Sequence, residues 1–131
     1  MQIVHFDVTQ DIPVVDARVY GPLGSQTVRL VLDARAGTTQ LDTALVEDLG
    51  YSVSDAIRQI QVQGPAGDSQ DGYQIILKQL TLFGRKFVNI PIGVYDFDNF
   101  DKYGIDGLLG FEIIKQLHLE MDGPNGLLKI F

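Results

Sequence analysis

The stretch of sequence that decides the fold is Val28-Arg29-Leu30-Val31-Leu32-Asp33-Ala34-Arg35-Ala36-Gly37-Thr38-Thr39. Residues 27–33 are rich in β-branched and apolar side chains, a pattern that predicts a β-strand. Asp33 stands at the end of that run, and the small and polar residues after it are typical of a loop. The stretch therefore predicts an apolar strand that carries one carboxylate into a loop.

The segments on either side extend this prediction. Residues 13–20 form a second β-rich run, and the turn cluster at residues 21–25 (Gly-Pro-Leu-Gly-Ser) predicts that the two runs pair as a hairpin. After the loop, residues 43–49 are predicted to form a short helix. Asp42 is a good N-cap for that helix, and Gly50 stands where a glycine commonly ends one.

The rest of the chain reads as short strands separated by turns. A weak first strand is expected through Ile3, Phe6 and Val8, and a second helix at residues 111–117. Further strands are expected at about residues 57–63, 73–82, 86–95, 118–121 and 127–131. The polar, glycine-rich residues 64–72 are predicted to form a hairpin tip. The predicted fold is mainly β with two short helices, in one domain over residues 1–131.

Composition excludes several classes of protein. The chain has 131 residues, with 10 Lys+Arg against 17 Asp+Glu, and a net charge of −7. An acidic excess without a basic cluster argues against a nucleic-acid partner, and no apolar run is long enough for a membrane-spanning helix. With no cysteine, disulfides and thiolate chemistry are excluded. The first residues lack the pattern of a signal peptide, so a cytoplasmic location is expected.

Common metal and cofactor motifs are not found. His5 and His118 lie far apart in strand-like segments, and a structural or surface role is expected for both. Asp96, Asp98 and Asp101 resemble part of a calcium loop, but Phe100 stands where an oxygen ligand belongs. No phosphate-binding glycine loop is present. We therefore expect neither a metal nor a cofactor.

The interpretation of the first segment depends on a second one, Gly104-Ile105-Asp106-Gly107-Leu108-Leu109-Gly110-Phe111-Glu112-Ile113-Ile114. Together, in this order and spacing, the two segments resemble the single-domain retropepsin-like aspartic proteases. In that family an apolar strand leads into an Asp-Thr/Ser-Gly-Ala/Ser loop, and a flap hairpin follows. A later strand ends in two apolar residues and a glycine that opens a helix. The resemblance covers nearly the whole chain and implies the closed β-barrel of that family.

The resemblance also assigns expected roles to residues. Asp33 takes the catalytic position, in a loop formed with Ala34, Arg35 and Ala36. Leu108, Leu109 and Gly110 take the place of the apolar-apolar-glycine motif that packs beneath that loop. The hairpin containing Gly64, Gly67 and Gly72 is the flap candidate. Because one chain supplies only one aspartate, the resemblance implies a homodimer that hydrolyses peptide bonds with Asp33 from each subunit.

The chain departs from the family pattern directly after the aspartate. Ala34 stands where the family has Thr or Ser, so the hydroxyl hydrogen bonds between the two loops of a dimer are lost. Arg35 stands where the family has Gly, and it brings a positive charge next to the carboxylate. Three interpretations stay open: an active aspartic endopeptidase, a homodimeric peptide-binding or assembly module without turnover, and a hydrolase whose Arg35 binds an acidic group of the substrate.

The segment 96–103 also has two interpretations. It is acidic and carries interleaved aromatic residues, which is usual for a solvated surface. In the retropepsin-like family the corresponding stretch can line the substrate groove. There it would favour a basic peptide.

Overall fold

The computed structural model describes residues 1–6, 12–63, 69–97 and 104–131. Within these ranges the chain is mainly β, with two short α-helices and one 3₁₀ turn at Val53–Asp55. The strands are β1 Gln2–His5, β2 Val14–Gly21, β3 Gly24–Leu32, β4 Gln40–Asp42, β5 Arg58–Gln63, β6 Ser69–Leu82, β7 Arg85–Tyr95, β8 Gly107–Leu109, β9 Leu119–Asp122 and β10 Leu127–Ile130. The helices are α1 Thr43–Asp48 and α2 Phe111–Ile114.

The larger sheet closes into a barrel. Its strand order is β2-β3-β8-β4-β7-β6-β5, and β2 also pairs with β6. Six strands therefore form a closed ring, and β5 extends from β6 as an additional strand. The apolar side chains that point into this ring form the main core, which includes Val19, Leu30, Leu41, Ile75, Leu77, Leu80, Ile92 and Leu109. The closed barrel with two helices expected from the sequence is confirmed.

The short strand β8 is wedged between two strands that precede it in the chain. It runs parallel to β3 and antiparallel to β4. A side chain at Gly107 would place its Cβ 2.0 Å from the carbonyl oxygen of Gln40, and one at Gly110 would lie 2.5 Å from the backbone of Thr38. These distances are shorter than van der Waals contact, so glycine is required at the first residue of β8 and directly after its last residue.

Buried hydrogen bonds fasten the end of β8 to the loop before β4. The fully buried Thr39 accepts the N–H of Gly110 with its hydroxyl oxygen at 3.0 Å and donates its own hydroxyl to Glu112 Oε1 at 2.7 Å. The backbone N–H of Thr39 donates to the second carboxylate oxygen of Glu112. Because each of these buried polar groups has a partner, the network holds its geometry without an unpaired donor.

The ring closes where β2 meets β6. The strands pair from Arg18 opposite Thr81 to Tyr20 opposite Gln79. Just beyond this pairing, the hydroxyl of Tyr51 donates to the carbonyl of Tyr20 at 2.8 Å and accepts the N–H of Lys78 at 2.9 Å. Burial is the main cause of the raised pKa of Tyr51. The Tyr51 hydroxyl thus links β2 and β6 by hydrogen bonds at the end of their backbone pairing.

A separate three-stranded antiparallel sheet is built from the two ends of the chain, in the order β1-β10-β9. Its residues Leu128 and Ile130 are buried in the main core. Arg85, at the start of β7, donates from a terminal guanidinium nitrogen to the carbonyl of Phe131 at 2.9 Å. In the part of the chain that the structure describes, no helix is long and apolar enough to span a membrane.

Most of the predicted elements are present. The β2–β3 hairpin contains residues 14–20 and 27–32 of the two predicted runs, and Asp42 caps α1 by accepting the N–H of Ala44 at 3.1 Å. Gly50 has a φ of +96°, as expected after a helix end. The second helix is shorter than predicted and ends at Ile114, followed by turn hydrogen bonds. Val8 lies outside the described residues.

We expect Gly107→Ala to destabilise the protein, because its Cβ would overlap the Gln40 carbonyl oxygen in the middle of the barrel. The loss in the free energy of unfolding should be about 1–3 kcal/mol, measured by urea denaturation. Gly123→Ala is the matched control, since its Cβ would meet no atom within 4 Å. Equal stability of the two variants would contradict the tight insertion of β8.

Candidate functional site

Asp33 follows the last residue of β3 and lies at the start of the loop that crosses to β4. Its N–H donates to the carbonyl of Leu109 at 3.1 Å, which continues the β3–β8 pairing by one residue. Its own carbonyl accepts the N–H of Ala36 at 3.2 Å, so the loop turns immediately after it. The side chain is 22% exposed. The carboxylate is therefore held at the barrel surface, partly sheltered and still accessible.

Arg35 contacts the same carboxylate in two ways. Its backbone N–H donates to Asp33 Oδ1 at 3.0 Å, and its Nε lies 3.7 Å from that oxygen. The Arg35 side chain is 95% exposed, so it extends outward and leaves the space over the loop open. Its φ is not positive, so an arginine fits this loop without backbone strain. Ala34 is exposed at the loop tip.

The predicted supporting motif lies beneath this loop. Leu109 is fully buried and supplies the carbonyl that binds Asp33, whereas Leu108 is half-buried and faces the groove described next. Gly110 packs against Thr38 and Thr39. The carbonyl of Ala36 accepts the N–H of Phe111 at 2.7 Å, which ties the loop to the start of α2. The structure thus brings Asp33 and the second segment together.

A groove of about 870 Å³ opens over Asp33. Side chains of the loop, of β5 and of the neighbouring strands form its walls. The described residues that line it are Ile12, Val31, Asp33, Arg35, Ala36, Thr38, Gln40, Arg58, Ile60, Gln61, Val62, Gln74, Gly93, Tyr95 and Leu108. The lining combines apolar side chains with amides and a few charges, which suits an extended peptide better than a small apolar ligand.

Tyr95, at the end of β7, is the ionisable group most affected by this site. Burial, and in second place the negative charge of Asp33, raise its pKa to about 12. Its ring lies 4.1 Å from the ring of the buried Phe97, measured between centroids. The N–H of Phe97 donates to Asp42 Oδ1 at 2.9 Å, so the α1 cap also fixes this wall of the groove.

The flap candidate is only partly described. Gly64 and Gly67 lie outside the described residues. Gly72 does not lie in a hairpin tip as the sequence suggested, because β6 already begins at Ser69 and Gly72 pairs with Ile60 of β5. The paired strands β5 and β6 thus carry the segment up to residues 63 and 69. Of the acidic segment 96–103, residues 98–103 also lie outside the described part.

The other residues considered in the sequence analysis make contacts that fit a structural role. His118 stacks near Phe131, at 4.7 Å between ring centroids, and lies 4.0 Å from Glu120. Asp106 accepts the backbone N–H of Arg29 at 2.9 Å. Asp122 accepts two hydrogen bonds from Asn125, which lower its pKa. No group of three potential metal-ligating side chains occurs among the residues that the structure describes.

The groove residues that sequence reasoning missed include Arg58, Gln74 and Tyr95. Arg58 and Gln74 lie opposite each other on β5 and β6, and Arg58 Nε donates to Gln74 Oε1 at 2.7 Å. No local motif marks any of the three. The signal that could have found Arg58 and Gln74 is the strand register, since opposite residues of an antiparallel pair share a face. That register was not determined from the sequence.

We expect Asp33→Asn to lower the pKa of Tyr95 from about 12, because it removes the negative charge that opposes ionisation of the phenol. The pKa should stay above its ordinary value of about 10, since burial is the larger cause. The measurement is a pH titration of tyrosine Cζ by NMR, with Tyr95→Phe for assignment. Asp16→Asn, at an exposed position of β2, is the control. An unchanged Tyr95 pKa in Asp33→Asn would contradict the assigned proximity.

The same raised pKa has a consequence for stability. The Tyr95 phenol ionises more readily in the unfolded chain than in the folded protein. The neutral phenol therefore contributes to the free energy of unfolding below pH ~10, and this contribution is lost as the pH rises through about 12. Tyr95→Phe should remove this part of the alkaline destabilisation, measured as the change in unfolding free energy across that range.

Comparisons with known proteins identify the family and the fold. A family model described as aspartyl protease matches residues 15–113. A retropepsin-like aspartic protease from Rickettsia conorii has a similar structure, with a TM-score of 0.66, 17% identity, and coverage of 98% of this chain and 88% of that chain. The retroviral protease-like domain of Ddi1 from Leishmania major gives a TM-score of 0.60 at 16% identity, covering 91% and 87% of the two chains.

No curated protein sequence matches the chain. The structural likenesses show the fold, and the family model, which spans most of the chain, shows the family. The resemblance inferred from the two sequence segments is therefore confirmed. This protein belongs to the aspartyl protease family and has the retropepsin-like fold.

Proposed function

We propose that this protein is an aspartic endopeptidase that acts as a homodimer, with Asp33 of each subunit as the catalytic pair. The observation that carries the proposal is the partly exposed Asp33 carboxylate in an open groove of about 870 Å³. Family membership supports the same role. A symmetric dimer is required because the chain has a single Asp33 loop, and a twofold axis beside it would bring the two carboxylates face to face.

In this mechanism the two aspartates share one proton, since neighbouring like charges disfavour a doubly ionised pair. The ionised Asp33 takes a proton from water as the water oxygen bonds to the peptide carbonyl carbon. The protonated Asp33 of the partner subunit gives its proton to the carbonyl oxygen. The first Asp33 then gives the proton taken from water to the nitrogen, and Asp33 of the partner subunit takes a proton back from one hydroxyl of the intermediate. The C–N bond breaks, and a carboxylic acid and an amine are released.

The geometry of Arg35 is compatible with this chemistry. The carboxylate needs donors that hold it in place, and the backbone N–H of Arg35 supplies one at 3.0 Å. The guanidinium is almost fully exposed, so water screens its attraction to Asp33. Arginine in place of glycine at position 35 therefore changes the exposed edge of the site more than the backbone that holds Asp33.

The second candidate function is a homodimeric peptide-binding or assembly module without turnover. The observation that favours it is Arg35 Nε, 3.7 Å from Asp33 Oδ1. A positive charge beside a carboxylate opposes a proton shared between two aspartates. Ala34 also has no hydroxyl with which to join two loops across a dimer axis. The groove and its strand edges would then hold a peptide by main-chain hydrogen bonds.

We expect the unmodified protein to cleave a peptide library between pH ~4 and 7, and Asp33→Asn to abolish this cleavage, with a loss of at least about 10³-fold. Product formation is followed by mass spectrometry, and molar mass in solution reports the dimer. Asp16→Asn, an exposed aspartate of β2, is the control that should keep its activity. Cleavage that survives in Asp33→Asn would overturn the assignment of the catalytic residue.

The double change Ala34→Thr with Arg35→Gly separates the two candidates. If the unmodified chain is a binding module, it binds peptides without cleaving them, and the restored loop should gain Asp33-dependent cleavage. If the chain is already an endopeptidase, the double variant should alter the rate and the pH profile of an existing activity. The readout is the initial rate of cleavage from pH ~4 to 7, with the triple variant that includes Asp33→Asn as the blank.

A further inference from the structure

The groove has a charge opposite to that of the whole protein. The chain has a net charge of −7. Among the described residues that line the groove, however, the charged side chains are one carboxylate, Asp33, and two guanidinium groups, Arg35 and Arg58. Arg35 lies beside Asp33, so those two charges largely offset each other. The positive charge of Arg58 is left without an opposite charge among these lining residues.

Arg58 is held in a fixed orientation by a buried amide. Its Nε donates to Gln74 Oε1 at 2.7 Å, and Gln74 is 7% exposed. A guanidinium has five N–H donors, so this bond leaves the four on the terminal nitrogens available. Two of those four, one on each terminal nitrogen, can bind a carboxylate in a bidentate manner. No carboxylate of the described chain lies within ion-pair distance of Arg58.

The neighbours of Arg58 favour a peptide side chain over a free ion. Ile60 and Val62 follow Arg58 at alternate positions of β5 and line the same groove. The pleat places Arg58, Ile60 and Val62 on one face of the strand. An extended peptide along this wall would meet apolar contacts and one guanidinium at two-residue spacing. Its own two-residue side-chain period matches that arrangement.

We propose that Arg58, oriented by Gln74, is the specificity-determining residue of the groove and binds a carboxylate of the peptide ligand. The inference rests on the proposed function only in taking the groove as the peptide site, and it holds for a cleaved or an uncleaved peptide. It makes the preferred ligand acidic. This is the opposite of the basic peptide that the acidic segment 96–103 suggested.

The test measures binding of fluorescent extended peptides that differ at one position in Glu, Gln or Lys, with a free or an amidated C-terminus. The affinity of the Glu peptide is divided by that of the Gln peptide; where mass spectrometry shows cleavage, the two kcat/KM values are divided instead. We expect a ratio of about 10 in the unmodified chain, falling to about 1 in Arg58→Gln. Arg58→Lys keeps the positive charge but loses the two parallel N–H donors of the guanidinium group, so its ratio should be intermediate.

Two controls assign the effect to Arg58. Arg18→Gln removes an equal charge from β2, outside the groove lining, and should leave the ratio unchanged. The double variant Asp33→Asn with Arg35→Gln removes the other charged pair and should keep the ratio. A ratio that survives Arg58→Gln, or is lost in the double variant, would overturn the proposal. A preference for Lys would overturn it as well.

The two C-termini distinguish the sources of the carboxylate. A ratio that persists in amidated peptides assigns Arg58 to an acidic side chain. A preference that requires the free C-terminus, and is lost in Arg58→Gln, assigns it to the terminal carboxylate; either result supports carboxylate recognition. Binding with the expected ratio but without cleavage would refute the endopeptidase and leave this inference standing. Asp33-dependent cleavage without any Glu preference would refute this inference and leave the endopeptidase standing.

Discussion

The structure depends on the close approach of β8 to its two neighbouring strands. At Gly107 the backbone of β8 lies so near the Gln40 carbonyl that no Cβ fits, and β8 can therefore pair with β3 on one side and β4 on the other. The pairing with β3 continues through the N–H of Asp33 to the Leu109 carbonyl. The position of the carboxylate is thus set by the strand that inserts from the far end of the chain.

Hydrogen bonds to the segment around α2 hold the base of the loop that carries Asp33, in addition to the hydrogen bonds within the loop. These hydrogen bonds join Thr39 to Gly110 and Glu112, and Ala36 to Phe111. The upper part is exposed and has no positive φ at position 35. Arg35 therefore lies where its side chain can turn to solvent.

The electrostatics of the groove do not follow from the overall charge. The acidic excess of the protein is spread over turns, caps and exposed positions, such as Asp42 and Asp122, where carboxylates accept backbone hydrogen bonds. The described residues that line the groove instead include two arginines and a single aspartate. At ordinary ionic strength, salt screens charges that lie more than about 10 Å away. A bound peptide therefore experiences the local positive excess of the groove more than the net charge of the protein.

The sequence by itself determined the mainly β class, the hairpin, the capped first helix and the aspartate that follows an apolar strand, because these depend on local periodicity and turn chemistry. It also determined the family, since two motifs kept their order and spacing. Only the tertiary structure decided the pairing of the three-residue strands β4 and β8, the barrel closure, the outward course of Arg35 and the Arg58–Gln74 contact. Those features depend on strand register and on packing between distant segments, which no local pattern encodes.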